Sequence, residues 1–437
     1  MIIGIRREDK NPWERRSPLT PEDVGTLIEE SDHAFRVQPS SEPPKRVFPD
    51  HAYANAGAEV TDDLSPCDLI LGVKEIPREL FLENHMYMFF SHTVKAQPYN
   101  MPMLKTIMDK GCTLFDYELI ADSENRRLVF FGKYAGLAGM IDTLAALGRR
   151  FEAEGIDSVF SEVKMAHEYD SLTEAKAALL EIGGKINAKG LDERITPLVI
   201  GLAGYGNVSI GAQEILDLLP IHEISPEELA ILRSQDDLSN RHIYKVVFKE
   251  EHMVKPTEDL LDFELQDYYR NPENYESIFD FHTPHLNVLV NCIYWTERYP
   301  RLITNEFLQE LYADGQPHLR VIGDISCDIE GSIEATVKAT TSDAPCYVFD
   351  PASRTASDGY EGKGPVIMAV DNLPCEIPLE ASQHFSASLR GFIAEMGKLD
   401  PASGDFVAKL PEPLKKAMIV RRGNLVAPFE FLKEYVH

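Results

Sequence analysis

Five short apolar runs punctuate the first third of the chain: Ile2–Ile5, Leu69–Val73, Met86–Phe90, Thr113–Asp116 and Leu128–Phe131. Runs this short, separated by helical patterns, read as strands buried on both faces. Between them, "TPEDVGTLIEE" (20–30) offers Thr20 as a cap, Pro21 in the first turn, and Glu22 and Asp23 near the positive end of the helix dipole. "NMPMLKTIMDKG" (100–111) is a second helix of the same kind. Strands alternating with helices confine this region to a mostly parallel sheet covered on both sides.

A long helical segment without proline follows at 135–155, with small residues at Ala135, Gly136, Ala138 and Gly139 that permit close packing. It reads as a connector, because a second alternation begins at Thr196: strand "PLVIGLAG", helix "IGAQEILDLLP", short strand "IHEI", then strands "NVLVNCIYW", "LRVIGDIS" and "PVIMAVDNLP". At 437 residues the chain exceeds what one core serves. Two domains are expected, 1–134 completed by 375–437, and 135–374 with an acidic, aromatic-rich insertion at 225–285. The helix pattern "PLEASQHFSASLRGFIAEM" (378–396) would return the chain to the first domain.

A net charge of −28 disfavours nucleic acid and anionic membranes as partners. No apolar run approaches the roughly 20 residues that span a bilayer. The start "MIIGIRREDK" reads as a strand entering a charged loop rather than a secretory leader, so a cytoplasmic location is expected. Six cysteines without a CxxC pair predict reduced thiols. "HTPH" (282–285) lacks an evident third ligand, so no metal is predicted.

"VIGLAGYGNVSIGA" (199–212) joins a strand to a helix through Gly204-x-Gly206, with Ser209 in the place of a third glycine. The first glycine permits the tight turn, the second lets a pyrophosphate approach the backbone, and the helix N-terminus favours negative charge. Gly204, Gly206, Asn207 and Val208 are thus the candidate dinucleotide-binding residues. About twenty positions on, where a carboxylate would read the ribose, Glu223 lies inside the short strand and Ser225 at its end. A serine there suits a 2′-phosphate, which favours NADP, with NAD possible.

The ends of the first domain's strands carry Arg6 and Arg7, Lys74 with Glu75, His92 with Lys95 and Gln97, and Tyr117 with Glu118. Arg16 lies on the first loop of the same edge, and Arg126 and Arg127 lead into the last run. The carboxyl edge of a parallel sheet is where ligands bind. Several cations there suit a substrate with two or three carboxylates. A lysine among cations is pushed toward the range useful for proton transfer, and histidine already titrates there.

Taken together, "RREDKNPWERRSPLTP", "LILGVKEIP", "FFSHTVKAQ", "LFDYE", "RRLVFFGKYAGLAGMID", "GYGNVSIGAQ", "NCIYWTERYPRL", "GDISCDIEGSIE" and "VDNLPCEIPLEAS" resemble the lysine–2-oxoglutarate reductase half of aminoadipic semialdehyde synthases. More distantly the chain resembles saccharopine dehydrogenases, alanine dehydrogenase and the transhydrogenase domain. The resemblance implies an α/β fold of two Rossmann-like domains with parallel sheets and an interdomain cleft. It also implies an oxidoreductase of lysine metabolism forming saccharopine from lysine, 2-oxoglutarate and a reduced nicotinamide, or the reverse. By motif, Lys74 resembles the catalytic base and His92 the acid, with Glu75 and Lys95 tuning them. Arg16, Gln97, Glu118, Arg127 and Phe131 resemble substrate-binding positions, and Arg126 a cofactor contact. Asp324 and Ser326 would border the nicotinamide, and Asp328 aligns with the active-site aspartate of alanine dehydrogenase. The saccharopine-cleaving half of the animal and plant enzymes is absent from this sequence, so a separate enzyme could serve that step. The alternatives are an amino-acid dehydrogenase of the alanine dehydrogenase type and a non-catalytic dinucleotide sensor.

Overall fold

The computed structural model describes residues 1–31, 33–235, 238–258, 261–315 and 317–436. The chain divides into two compact units, 1–131 with 378–437, and 132–377. Along the chain, the first unit carries β1 (Ile2–Ile5), β2 (Ala34–Val37), β3 (Glu59–Val60), β4 (Leu69–Leu71), β5 (Met86–Phe89) and β6 (Thr113–Asp116). The second carries β7 (Val199–Ala203), β8 (Ile221–Glu223), β9 (Ile243–Phe248), β10 (Val254–Pro256), β11 (Tyr275–Ser277), β12 (Val288–Asn291), β13 (Val321–Asp324), β14 (Cys346–Asp350), β15 (Thr355–Asp358) and β16 (Val366–Met368). β17 (Met418–Arg421) and β18 (Asn424–Leu425) then complete the first.

The first sheet runs β18-β17-β6-β5-β4-β1-β2-β3, parallel from β3 to β6 and antiparallel at β17 and β18. β4 and β5 are apolar and buried at every position, as strands sandwiched between helical layers must be. The helix Pro21–Glu30 starts as the sequence indicates: Thr20 Oγ1 accepts from the Asp23 amide at 3.1 Å, with Pro21 in the first turn.

The run Leu128–Phe131 is not a strand. Arg127 bridges back to Ala121, and the Leu128 amide donates to the Ile120 carbonyl at 2.8 Å, closing a small turn-back. Its apolar residues fill the core singly: Val129 is fully buried, and the Phe131 ring stacks on Phe385 at 4.5 Å. The place beside β6 goes to β17, which arrives from the far end of the chain.

The second sheet runs β15-β14-β16-β13-β12-β7-β9-β8, parallel from β16 to β8. The 225–285 stretch is therefore not wholly an insertion, because β9 pairs with β7 along its length and separates it from β8. Of that stretch, Asp236, Asp237, Asp259 and Leu260 lie outside the described residues. The helix Gly132–Ala153 packs on the helix Asn207–Leu216 at backbone distance. A Cβ on Gly136 would lie 1.8 Å from the Val208 carbonyl oxygen, and one on Gly211 2.0 Å from that of Lys133. Close packing of the glycine-loop helix thus rests on Gly211 and Gly136, while Ser209 is buried and accepts from Gln213 Nε2. No helix among the described residues is long and apolar enough to cross a membrane.

Candidate active site on the first sheet and dinucleotide cradle on the second

The carboxyl edge of the first sheet gathers charge at low exposure. Where β4 ends, the Glu8 carboxylate accepts from the consecutive amides of Val73 (2.8 Å) and Lys74 (3.0 Å) and so fixes the turn bearing Lys74. Burial raises the Glu8 pKa, against the opposing Arg6 charge. Lys74 is partly buried, and its ammonium forms no ion pair among the described residues. Its pKa is lowered, first by burial and then by the Arg16 charge, with Glu14 and Glu75 opposing.

Glu75 lies next to it. Its two oxygens face different cations: Oε2 accepts from Lys10 Nζ at 2.7 Å, and Oε1 meets His92 Nδ1 at 2.8 Å. Burial pushes this carboxyl up, but the hydrogen bonds and charges of His92 and Lys10 outweigh it and hold the group at about 2. An ionised carboxylate only accepts, so Nδ1 of His92 carries the hydrogen, and Nε2 is the nitrogen left to exchange protons.

His92 sits in the left-handed region at φ 50°, and Ala96 follows at 53°. Such a conformation costs of order 1–3 kcal/mol and persists only where the surroundings impose it. Here Asp116, at the end of β6, imposes it. Its Oδ2 accepts from the Ser91 amide (3.0 Å) and hydroxyl (2.5 Å), and Oδ1 from the Glu118 amide (2.8 Å). Asn100 Nδ2 ties down the His92 carbonyl at 3.1 Å, and the Phe90 ring lies parallel to the imidazole at 6.1 Å.

The remaining candidates divide. Arg16 is buried and paired bidentately with Glu14, Nε to Oε1 at 2.8 Å and Nη2 to Oε2 at 2.6 Å, with its guanidinium 4.3 Å from the centre of the Phe131 ring. One edge of its fork is therefore already occupied. Phe131 belongs to an aromatic cluster with Phe90 and Phe385. Arg127 is half-exposed and joined to Glu118. Lys95 is exposed, and Gln97 accepts from Tyr99 Oη at 2.8 Å. Arg126 is exposed and paired with Asp122 at 2.7 Å and Glu124 at 3.1 Å, in the unit that does not contain the glycine loop.

Glu8, Lys10, Glu14 and Asp116 were not singled out by the sequence. For the first three the available signal was the density of charge in "RREDKNPWERR" just after β1, of which Arg6, Glu8, Glu14 and Arg16 are folded inward.

On the second sheet the edge is built from backbone and neutral donors. Gly204 takes φ 94°, and its amide donates to the Phe248 carbonyl at 2.9 Å. Gly206 precedes the helix Asn207–Leu216 with no side-chain cap, and a Cβ there would meet no heavy atom within 4 Å. A strand, an open glycine and an uncapped helix start form a cradle that fits a pyrophosphate. Asp324, at the end of β13, is buried and fully engaged: Oδ1 accepts from Asn291 Nδ2 (2.9 Å) and Ser326 Oγ (2.8 Å), and Oδ2 from Thr336 Oγ1 (2.6 Å). Burial raises its pKa while these donors oppose the rise. Asp324 and Ser326 thus form a polar knot across the ends of β12 and β13. Asp328 is exposed in the loop beyond.

Ser225 follows β8, which β9 separates from β7. It caps the helix Pro226–Leu232, accepting from the Glu228 amide at 3.2 Å, while Glu228 Oε2 accepts from its own amide at 2.7 Å. Glu223 is spent on Lys245, at 2.9 Å. In "HTPH", His282 Nε2 bonds the His252 carbonyl at 3.0 Å, and no group of three metal-ligating side chains occurs among the described residues.

The two mostly parallel sheets, the second with a glycine cradle at its carboxyl edge, define an α/β protein of two doubly wound units. The solved structure of an L-alanine dehydrogenase superposes with a TM-score of 0.63 at 18% identity, covering 100% of both chains. Residues 4–138 match the family described as alanine dehydrogenase/PNT, N-terminal domain. The chain is similar to the alpha-aminoadipic semialdehyde synthase of Arabidopsis thaliana, 41% identical across 99% of this chain but only 41% of that protein. It thus spans less than half the length of that relative. It is also similar to the saccharopine dehydrogenase [NAD(+), L-lysine-forming] of Yarrowia lipolytica, 26% identical over 92% of this chain and 93% of the other.

Proposed function

We propose that the chain joins L-lysine and 2-oxoglutarate reductively to give saccharopine, or runs the reverse reaction, with a nicotinamide dinucleotide, NADP(H) or NAD(H). The observation that carries this reading is the Lys74–Glu75–His92 group at the ends of β4 and β5. It is a lysine biased toward its neutral form beside a histidine whose tautomer a carboxylate fixes. Neutral Lys74 Nζ takes the proton that the substrate's side-chain ammonium must lose before its nitrogen attacks the keto carbon. As the carbon–nitrogen bond forms, a second proton passes from the amine nitrogen to the keto oxygen. His92, in its imidazolium form with Nδ1–H kept on Glu75, then gives its Nε2 proton to the resulting hydroxyl, which leaves as water as the carbon–nitrogen double bond forms. The nicotinamide, when bound, supplies hydride to that carbon. Arg127, Gln97 and Lys95, with Arg16 and Phe131, are proposed to hold the substrate's carboxylates and carbon chain.

A second reading has its own support, the alanine dehydrogenase fold: reduction of a small keto acid with ammonia. Absorbance of the reduced dinucleotide separates them. Oxidation with lysine plus 2-oxoglutarate, and little with pyruvate plus ammonia, is expected. The opposite pattern replaces the proposal with the second reading, and turnover of neither leaves a dinucleotide-binding protein.

A further inference from the structure

We infer that Asp142 and Glu376 share a single proton, and that this proton holds the helix Gly132–Ala153 where the dinucleotide cradle rests on it. Dinucleotide affinity is thereby coupled to pH. This inference rests on the dinucleotide reading above and deepens it.

One helix carries both the support of the cradle and the acid. On the helix Gly132–Ala153, Gly136 meets the glycine-loop helix at the Val208 carbonyl. One turn on, a Cβ on Gly139 would lie 2.6 Å from Ile325 Cγ1, just past β13, and 3.0 Å from Leu373 Cδ1. Thr143 Oγ1 would lie 2.1 Å from a Cβ on Gly323, within β13. Asp142, the residue before Thr143, is fully buried. Its Oδ1 accepts from the Ala166 amide at 2.7 Å, and its carboxyl meets that of Glu376. Glu376 ends the short 3-10 turn Leu373–Glu376, the turn that also supplies Leu373. The two acids tie this turn to the helix that supports the cradle.

The contact requires a proton. Asp142 Oδ2 and both oxygens of Glu376 are buried and receive no hydrogen bond from an N–H or O–H among the described residues. His167 Nδ1 stands 3.9 Å from Glu376 Oε2, too far for a hydrogen bond. Two facing carboxylates with no cation to neutralise them would repel strongly where water does not screen them. A proton on one of them removes a charge and supplies the donor that the other lacks. Burial raises the Asp142 pKa, and the Glu376 charge raises it further. The remaining neighbours do not reverse this. Glu168 adds another negative charge, while the Cys346 thiol and the Tyr360 hydroxyl are pushed up and stay neutral. Arg149 acts on Tyr360 and donates to the Ser161 carbonyl at 3.2 Å.

Loss of the proton leaves two buried charges pressed together, and their relief is to part the turn from the helix. The native state holds this proton more tightly than the unfolded chain, so its stability falls as pH rises above the ordinary carboxylate range. A helix displaced under the cradle costs dinucleotide affinity, and by linkage dinucleotide binding draws the proton in.

Asp142→Asn separates the proton from the contact. Its Oδ1 still accepts from the Ala166 amide, and its Nδ2–H donates to Glu376 at any pH. Fluorescence titrations of the full chain with NADH and NADPH, and denaturant melts, over about pH 5 to about pH 9 provide the measurements. The wild type is expected to lose stability as pH rises and to bind about fivefold more weakly at the alkaline end. In Asp142→Asn the stability should change less with pH, and the affinity should stay within about twofold. Glu376→Gln offers the reciprocal amide donor and should behave alike, so a folding failure of one variant leaves the other to decide. Calorimetry of NADH binding by the wild type, in buffers of different ionisation heat, should show net proton uptake, and its absence would overturn the coupling. A wild-type-to-variant difference in stability that does not change with pH would overturn the shared proton. A changing stability difference with a constant ratio of affinities would overturn its hold on the cradle. A wild type that binds neither dinucleotide removes the functional reading itself, and the melts alone then decide on the proton.

Discussion

The two sheets make an informative pair. In space the first unit runs β3-β2-β1-β4-β5-β6, the order usual for dinucleotide-binding folds. The second runs β8-β9-β7-β12-β13-β16, the same pattern with its second and third strands exchanged. Their carboxyl edges differ more than their topologies. The first is crowded with Glu8, Glu14, Arg16, Lys74, Glu75 and His92, each set by another's charge or hydrogen bond. The second presents a bare glycine, an uncapped helix start and one carboxylate wrapped in neutral donors. An edge that moves protons needs side chains in mutual electrostatic tension. An edge that cradles a large anion needs side chains to be missing.

The sharpest test of that contrast uses a pair of glycines in the second unit. A Cβ at Gly136 would lie 1.8 Å from the Val208 carbonyl oxygen, so Gly136→Val must force the packed helices apart. A loss of more than about 3 kcal/mol is expected, seen as failure to fold or a collapsed melting temperature. Gly206 has open space around its Cβ and an ordinary φ of −76°, so Gly206→Val should melt like the wild type. It should nevertheless lose dinucleotide affinity by about 10²-fold or more, because the new side chain fills the cradle. Normal binding by Gly206→Val would remove this loop from the site.

For the first unit, Lys74→Met and His92→Gln should each lower turnover about 10²-fold while dinucleotide affinity, measured by titration, stays near wild type. Equal loss of binding in both variants would dissolve the division of labour between the edges. Stability should move differently. Lys74 has a folded pKa below its ordinary value, so the unfolded chain binds its proton more tightly and the buried charge works against folding below that range. Lys74→Met is thus expected to melt no lower than wild type, a trade of stability for function.

The sequence carried the apolar runs of β1, β4, β5 and β6, the Thr20 cap and the glycine loop, because each depends on short-range pattern or local backbone chemistry. It did not carry β9 and β17, because the pairing of β9 with β7 and of β17 with β6 joins strands that are not consecutive in the chain, and their sequences, "IYKVVF" and "MIVR", say nothing of where they insert. The reading of Ser225 counted residues as if β8 lay beside β7, whereas β9 stands between them, and strand order is a property of the whole sheet. Lys74 and His92 stood out as charges at strand ends. Glu8 and Asp116 bond backbone amides from positions where a surface carboxylate would look identical in sequence.

A more modest effect separates side chains that anchor substrate from those that hold the fold. Arg127 and its partner Glu118 form a half-exposed pair, and such pairs contribute about 0–1 kcal/mol. Arg127→Ala should therefore melt close to wild type. If Arg127 holds a carboxylate of the keto acid, the KM for 2-oxoglutarate should rise about tenfold and that for the dinucleotide little. Unmoved 2-oxoglutarate kinetics would shift the carboxylate anchor to another cation on the edge.

The smallest expected effect tests whether charge tension on the first edge is built into the native state. Glu75 is held at about 2, against 4.5 for an unperturbed glutamate, by the hydrogen bonds and charges of His92 and Lys10. A carboxyl whose folded pKa lies below its unfolded value stabilises the fold above the unfolded value and loses that stabilisation as pH falls through the folded one. The Glu75 contribution should thus be complete above about pH 5 and fade between about pH 4.5 and 2. The full shift would correspond to about 3 kcal/mol, but Lys10 is 37% exposed and water screens it, so about 1–2 kcal/mol is the expected size. Denaturant melts of the wild type and Glu75→Gln at a series of pH values would measure it. The curves should stand apart at pH 7 and converge toward pH 2. Parallel curves over that range would mean that the Lys10–Glu75–His92 chain is no tighter folded than unfolded, and that whatever tunes His92 does so only once substrate has excluded water from the edge.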